Sequence, residues 1–380
     1  MSEQVPLAAP VIGEPEERAV LEALRSGRLS LGPRLEEFER RFATEVGAAH
    51  ASAISSGTAG LHLGLRAIGV GEGDEVVTSP FSFVASANAV LYERARPVFA
   101  DIDPVTLNLD PAAAAAAVGA RTRALLPVDI FGYPADIESF ERLAAREGLG
   151  IVEDACEALG ASYADGSPVG SRAHPAVFAF YANKQMTTGE GGMVTPGEAA
   201  LTERMDSERN QGRARDMDWL DHDRLGFNYR LSELACALGI AQLSRLPEML
   251  AARRRVAELY GAALGEHPDL AAGGPEGLTL PCADRGGERR GWFVYVVQVP
   301  RGAVRDEVVR ALAEAGVQSK PYLPAIHLMS FYRERFGHRP GEFPVCEDVA
   351  ERSLALPFFP AMTEGQVARV VEALRGALGR

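Results

Sequence analysis

The chain has 380 residues, of which 47% are hydrophobic and 24% charged, and its formal net charge is -13. This length favours two domains, and the composition is typical of an ordinary globular protein. The negative charge argues against nucleic acid or an anionic membrane as the main partner, and no run of 18 apolar residues predicts a membrane span.

The cysteines and the N-terminal residues bear on the cellular compartment in which the protein is expected. The four cysteines are widely spaced and form no C-x-x-C pair, which predicts a reducing environment rather than a zinc site or a disulfide framework. The first 15 residues lack a basic segment followed by an apolar one, so they do not resemble a secretory signal. We therefore expect a cytoplasmic protein.

Helical and strand patterns alternate over the first two thirds of the chain. A helix is predicted to begin at Pro33, and a second is predicted over residues 58–68. Short apolar segments at residues 74–80, 96–102 and 123–130 predict parallel strands that are buried on both faces. This alternation implies a layered α/β domain.

Two more helices and a strand follow the same order. Asp110 is a suitable N-cap and Pro111 suits the first helical position, so the alanine run after them predicts a helix. Another helix is predicted to end at Gly148, and the next strand, "LGIVED", ends in two acids, Glu153 and Asp154.

The pattern changes near residue 245. A long amphipathic helix is followed by a strand at residues 292–299, a helix at residues 304–315 and a last helix with a capping-box pattern at Thr363 and Gln366. The three arginines at positions 253–255 are interpreted as a solvated face of the long helix. These elements predict a smaller α+β domain at residues 248–380, after a large domain at residues 1–247.

The stretch "SSGTAG", from Ser55 to Gly60, follows a strand-like segment and begins a helix. The backbone amides of Gly57 and Thr58 can converge there on an anion, which the helix dipole also attracts. The alternative is a capped helix start without a ligand. No G-K-[ST] sequence follows, so this is not a P-loop, and no G-x-G-x-x-G fingerprint occurs.

Two charged residues stand at the ends of predicted strands. Asp154 ends a buried parallel strand, where open α/β sheets bind their ligands, although a salt-bridged or helix-capping acid is the alternative. Lys184 follows the apolar segment "AVFAFY" and precedes a glycine-rich run. Desolvation favours a neutral, nucleophilic lysine, whereas most lysines are simply solvated.

Together these features predict pyridoxal phosphate (PLP) as the cofactor. It requires an amine for covalent attachment, an anion cradle for its phosphate, and an acid beside its ring nitrogen. Phe83 follows a strand and could stack on the ring, although core packing is the alternative. The histidines are scattered, with His62 in an apolar helix, so we predict no metal site.

Five segments resemble the sugar aminotransferases of the DegT/DnrJ/EryC1/StrS family. They are "SGTAGLHLGL", "VEDACEALGA", "KQMTTGEGGM", "GFNYRLSELACALGIAQL" and "LALPFFP", and the similarity covers nearly the whole chain. The resemblance implies fold-type I of the PLP-dependent transferases, with a large domain around a mostly parallel mixed sheet and a small α+β C-terminal domain. It also implies a homodimer with active sites at the subunit interface.

The resemblance assigns roles to individual residues. Lys184 would bind the cofactor covalently and Asp154 would pair with the ring nitrogen. It further implies phosphate contacts from Gly57 and Thr58, ring stacking by Phe83, a phosphate contact by Asn228 across the subunit interface with Arg230 beside it, and positions near a sugar nucleotide for His327 and Tyr322.

Two positions depart from the family pattern. Many members have glutamine near the ring hydroxyl where this chain has Glu157, and a buried carboxylate there disfavours the phenolate unless it is protonated or paired. Many members also place a serine on the phosphate where this chain has Ala179. The second departure puts one phosphate contact in doubt.

The resulting hypothesis is a ping-pong transaminase that moves an amino group from an amino acid, with glutamate expected, to the keto group of a nucleotide-linked deoxy sugar. Dehydratase members have histidine in place of the lysine, so Lys184 disfavours that activity. A cofactor-bound regulatory protein, or a transaminase acting on a cyclitol or an aromatic precursor, stays open as an alternative.

Overall fold

The computed structural model describes residues 4–214, 221–271 and 277–380. The helices are α1 (Glu14–Arg25), α2 (Pro33–Val46), α3 (Gly57–Ala67), α4 (Ala85–Tyr92), α5 (Pro111–Ala117), α6 (Ile137–Glu147), α7 (Ala199–Arg209), α8 (Glu233–Ser244), α9 (Leu246–Gly265), α10 (Pro268–Ala271), α11 (Arg305–Glu314), α12 (Ser330–Phe336), α13 (Pro344–Arg352) and α14 (Glu364–Ala377), with short 3-10 helices at Ile130–Gly132 and Ile326–Leu328.

The strands are short and fall between the helices. They are β1 (Ser52–Ile54), β2 (Glu75–Thr78), β3 (Arg96–Phe99), β4 (Thr122–Leu126), β5 (Gly150–Ile151), β6 (Glu153–Asp154), β7 (Ala176–Ala179), β8 (Gly192–Thr195), β9 (Tyr295–Gln298), β10 (Lys320–Pro321) and β11 (Ser353–Leu356).

Two four-stranded sheets share an edge and form one mixed surface. The order β3-β2-β4-β5 is parallel throughout, whereas in β1-β8-β7-β6 only β6 and β7 are parallel. The segment after β4 joins them, because the N–H of Val152 donates to Leu125 O and that of Asp154 donates to Pro127 O. The predicted α/β class with a mostly parallel mixed sheet is thus confirmed.

Helices cover both faces of this surface. On one face, α2 packs the rings of Phe38 and Phe42 against Phe178 and Phe180, with ring centroids 5.1 Å apart for Phe42 and Phe178 and 5.6 Å apart for Phe38 and Phe180. All four rings are buried, and burying each contributes about 1.5–3 kcal/mol. This cluster anchors β7, the strand that leads to Lys184.

Local capping explains several helix boundaries. Asp110 accepts hydrogen bonds from the N–H groups of Ala112 and Ala113 at the start of α5, and Thr363 and Gln366 form the predicted capping box of α14. Both helix starts are confirmed. Pro33 likewise begins α2, and Gly148 ends α6 in the left-handed conformation.

The last third of the chain builds a separate antiparallel sheet in the order β10-β11-β9. Helices α9, α11 and α14 pack against it around a buried cluster that includes Val297, Leu312 and Leu374. The sheet brings Phe293 and Tyr322 next to the end of β7. The predicted division of the chain at residue 247 stays a prediction.

In the ranges given above, no helix combines the length and the hydropathy needed to cross a membrane.

Candidate active site

A cavity of about 300 Å³ opens at the carboxyl ends of β2, β6 and β7, the edge at which open α/β sheets bind ligands. Its volume falls at the lower end of the range for small-molecule sites. Of the residues singled out from the sequence, the cavity is lined by Gly57, Thr58, Phe83, Asp154, Glu157, Lys184 and Tyr322.

The first turn of α3 forms one wall of the cavity. Ser56 caps the helix, because its hydroxyl accepts the N–H of Ala59 at 3.1 Å. Gly57 allows a close approach: a Cβ at this position would lie 2.8 Å from the Cβ of Ala179 and from the Sγ of Cys156. The first-turn amides therefore face the cavity at the positive end of the helix dipole, which favours an anion.

Ala179 lies against this helix start and lines the cavity with a methyl group. It supplies no hydroxyl donor, so the anion cradle in the described part of the chain depends on the first turn of α3 and on polar neighbours such as Asn183.

Asp154 lines the cavity and is held in place by its neighbours. Ser86 donates its hydroxyl to Oδ2 at 2.6 Å, and the N–H of Cys156 donates to Oδ1 at 3.3 Å. The carboxylate is almost fully buried at the carboxyl end of β6. Two hydrogen bonds to one buried carboxylate fix its orientation and leave further lone pairs for a ligand.

The amine of Lys184 lies between an acid and an aromatic ring. Its Nζ is 3.5 Å from Glu157 Oε1 and 4.0 Å from the centroid of the Phe293 ring. Its side chain is 14% exposed, so it is largely withdrawn from water. Lys184, which follows β7, therefore presents its amine to the cavity.

Glu157 is the second buried acid of the cavity. Its Oε2 accepts the N–H of Phe131 at 2.8 Å, and Phe131 itself has a left-handed backbone with φ of 55°. Burial raises the pKa of Glu157 above its ordinary value; the positive charge of Lys184 opposes that rise and the charge of Asp154 adds to it.

We predict that Glu157→Gln becomes more stable relative to the wild type as the pH rises. Because the pKa of the folded carboxyl exceeds its ordinary value of 4.5, the folded state binds more protons than the unfolded state above that pH, and wild-type stability falls there. Glutamine does not ionise and avoids this loss. Thermal unfolding midpoints of both cofactor-free proteins between about pH 5 and about pH 8 measure the difference.

Glu190→Gln is the matched control for this prediction, because Glu190 lines the same cavity but is exposed. Its unfolding midpoint should follow that of the wild type at every pH. A Glu157→Gln difference that stays constant, or that shrinks as the pH rises, contradicts the prediction.

Two aromatic side chains border the cavity. Phe83 is 63% exposed at the rim, where a flat ligand can cover it. Tyr322 lies near Glu157, and burial, with a smaller effect of the Glu157 charge, raises the pKa of its hydroxyl well above the ordinary value. Tyr322 therefore keeps its proton and can donate a hydrogen bond.

Asn228, Arg230 and His327 do not line this cavity within one chain. Asn228 is exposed, and Arg230 donates to Asn210 Oδ1 at 3.0 Å. His327 is fully buried and its Nε2 lies 3.0 Å from Glu347 Oε1; burial, as the largest cause, lowers the pKa of its imidazole. Their predicted roles toward cofactor and substrate stay predictions.

Sequence reasoning missed three residues that support the site. They are Ser86, which binds Asp154, Phe293, which contacts the amine, and Arg253, which the sequence assigned to a solvated helix face. That assignment was wrong for Arg253, which is 3% exposed, and right for Arg254 and Arg255. The signal for Ser86 was its position one helical turn after Ser82, in the segment that follows β2. The signal for Arg253 was its place on the same helix face as Val256 and Tyr260.

The donor set matches the three chemical requirements of PLP. An amine (Lys184), a buried carboxylate (Asp154) and a helix N-terminus (Gly57 and Thr58) face one cavity, and an exposed ring (Phe83) borders it. Among the described residues, no group of three or more His, Cys, Asp or Glu side chains is arranged to hold a metal ion.

Known proteins resemble this chain over nearly its whole length. The model of the DegT/DnrJ/EryC1/StrS aminotransferase family matches residues 10–375. The spore coat polysaccharide biosynthesis protein SpsC of Bacillus subtilis is 36% identical, with 98% of this chain and 96% of SpsC covered. The GDP-perosamine synthase of Caulobacter vibrioides is 36% identical, with 98% and 97% covered.

A solved structure shares the whole fold. DesV of S. venezuelae, determined in complex with a ketimine intermediate, is 33% identical, covers 100% of both chains and superposes with a TM-score of 0.90. The likeness therefore extends from the N-terminal helices to the last helix.

Proposed function

Since the chain belongs to the DegT/DnrJ/EryC1/StrS aminotransferase family, we propose that it transfers an amino group from glutamate to the keto group of a nucleotide-linked deoxy sugar. The chain is a PLP-dependent enzyme of the sugar aminotransferase class. A relative named GDP-perosamine synthase supports a nucleotide-linked acceptor. The observation that carries the proposal is the convergence of Lys184, Asp154 and the start of α3 on one cavity.

Lys184 has two tasks in this proposal. It binds the cofactor covalently until the amino donor displaces it. Its free amine then moves a proton between the amino-bearing carbon of the substrate and the carbon of the cofactor. PLP, when bound, supplies the electron sink that makes the proton on the amino-bearing carbon acidic. The low exposure of the Lys184 side chain limits competition from water for that proton.

Asp154 and α3 hold the cofactor at its two ends. The negative charge of Asp154, fixed by Ser86, favours a protonated ring nitrogen, and the amides of Gly57 and Thr58 bind the phosphate. Phe83 covers one face of the ring. Ser86 does not itself line the cavity, so the orientation of the Asp154 carboxylate is set before the ligand binds.

We also propose a homodimer with active sites at the interface, in the cytoplasm. Asn228 is exposed, and Arg230 lies beside Ile54 at the end of β1. Both side chains can therefore contact a second chain. The apolar side chains of Phe83, Tyr181 and Leu225 are more than half exposed, as expected of a surface that a partner covers. The four cysteines are free, as in a reducing compartment.

The two half-reactions test the function separately. Glutamate added to PLP-loaded protein should produce 2-oxoglutarate in an amount equal to the enzyme sites and remove the absorbance of the lysine-bound cofactor. A nucleotide-linked keto sugar added next should restore that absorbance and yield an amino sugar. The free keto sugar without its nucleotide is the control. If every amino donor leaves the absorbance unchanged, the proposed function is wrong.

A further inference from the structure

Helix α9 buries a guanidinium directly behind the reactive lysine. Nη1 of Arg253 donates to the carbonyl of Phe293 at 3.0 Å, and Nη2 donates to the carbonyl of Lys184 at 2.9 Å. A longer bond of 3.5 Å reaches the carbonyl of Asn183. One side chain of the C-terminal third thus holds the backbone of the residue that carries the amine.

No acid in the described part of the chain balances the charge of Arg253 with an ion pair. Of the two other buried arginines, Arg209 pairs with Glu39 and Asp206, whereas Arg290 also forms no ion pair among the described residues. Burial alone lowers the pKa of Arg253 to about 10. The Phe358 ring, 5.8 Å away, adds a cation–π contact. Burying a charge without an ion-pair partner is costly, so a guanidinium at this position favours a role beyond filling space.

The two carbonyls that Arg253 binds belong to residues whose side chains meet in the cavity. The centroid of the Phe293 ring lies 4.0 Å from the Nζ of Lys184. The backbone carbonyls of both residues accept hydrogen bonds from the same planar guanidinium group. A guanidinium binds two acceptors in a fixed geometry, which neither a lysine nor an apolar side chain reproduces. The guanidinium of Arg253 therefore holds the backbone from which the Lys184 side chain extends into the cavity.

We propose that Arg253 is a positioning residue for Lys184, which orients the amine for its covalent bond to the cofactor aldehyde. In that step the amine nitrogen bonds to the aldehyde carbon, and the aldehyde oxygen leaves as water. Arg253 touches neither group and acts only through the backbone of residues 184 and 293. The inference rests on the role proposed for Lys184 and adds that helix α9 controls how fast the bond forms.

The test compares a bond-forming ligand with one that forms no bond. Purified Arg253→Met is mixed with PLP, the lysine bond is trapped with borohydride at successive times, and the trapped fraction is measured by mass spectrometry. Affinity for pyridoxamine phosphate, which has no aldehyde, is measured in parallel. We expect bond formation to slow by about tenfold or more, because small displacements of a reacting group have large effects on rate. Affinity for pyridoxamine phosphate should stay within about twofold, since α3 and Asp154 hold that ligand.

Neighbouring arginines of the same helix provide matched controls. Arg254→Met and Arg255→Met, at exposed positions, should behave as the wild type does. Arg253→Lys keeps the charge but not the planar guanidinium group and should fall between the wild type and Arg253→Met. Should Arg253→Met fail to fold, Arg253→Lys decides: slower bond formation with retained pyridoxamine phosphate affinity supports the proposal, and wild-type behaviour overturns it.

Other outcomes separate this inference from the proposed function. If Arg253→Met forms the bond at the wild-type rate, or if bond formation and pyridoxamine phosphate affinity fall by the same factor, Arg253 is merely structural. If the wild type traps no cofactor and resembles Lys184→Ala, the role of Lys184 itself is wrong.

Discussion

Lys184→Ala is expected to reduce amino transfer by about ten-thousandfold, because in the proposed mechanism one side chain provides both the covalent attachment and the proton transfer. Its surroundings support both tasks, since its Nζ lies 3.5 Å from Glu157 Oε1 and 4.0 Å from the centroid of the Phe293 ring. The variant should still bind pyridoxamine phosphate, whose phosphate and ring nitrogen are held elsewhere in the cavity. The rate of 2-oxoglutarate formation from glutamate measures the loss.

The chain offers a matched control for this variant. It contains only two lysines, Lys184 and Lys320, and Lys320 is exposed in β10. Lys320→Ala should retain wild-type turnover and cofactor absorbance. Turnover of Lys184→Ala within about tenfold of the wild type would exclude Lys184 as the proton carrier.

Asp154→Asn is expected to lower kcat by about a hundredfold while leaving the covalent attachment to Lys184 intact. Asparagine has the size of aspartate and still accepts the Ser86 hydroxyl, but it lacks the negative charge that favours a protonated ring nitrogen. Loss of one preorganised electrostatic contact in a buried site has an effect of this size. Single-turnover rates with glutamate measure the change.

Asp306→Asn, at an exposed position of α11, is the control for this substitution and should leave kcat unchanged. An Asp154→Asn enzyme with kcat within about threefold of the wild type would remove Asp154 from the proposed mechanism. A loss of trapped cofactor together with activity would instead indicate that the substitution disturbs the cavity.

Local sequence patterns predicted the elements well. The helix starts at Asp110 and Thr363 depend on contacts within four residues, and these contacts form as expected. The helix at Pro33 differs, because its first N–H groups donate to the carboxylate of Glu233, far along the chain. The strand that bears Asp154 and the strand that leads to Lys184 were predicted because a buried parallel strand needs a short, apolar, β-branched segment. Their convergence on one cavity follows from the rule that such strands end at the same edge.

The residues that sequence reasoning missed depend on contacts far apart in the chain. Arg253 has the same residue type as its neighbours Arg254 and Arg255, and its partner carbonyls, those of Phe293 and Lys184, come near it only in the folded chain. Helical periodicity places Arg253 on the same face as Val256 and Tyr260, both buried, so the helix face was readable although the partner carbonyls were not.

The roles proposed for Asn228 and Arg230 form a third category, because they would require a second chain. In one chain Arg230 binds Asn210 and Gln211, and the segment runs beside β1. Neither pattern nor single-chain geometry determines what these side chains contact in an assembly.

The most direct test of the central claim is to identify the lysine that binds the cofactor. PLP-loaded wild-type protein is reduced with borohydride and digested, and the peptides are mapped by mass spectrometry. We expect the added cofactor mass on the peptide that contains Lys184 and none on the peptide that contains Lys320. Cofactor attached to Lys320 or to the N-terminus, or to no peptide at all, would contradict the claim.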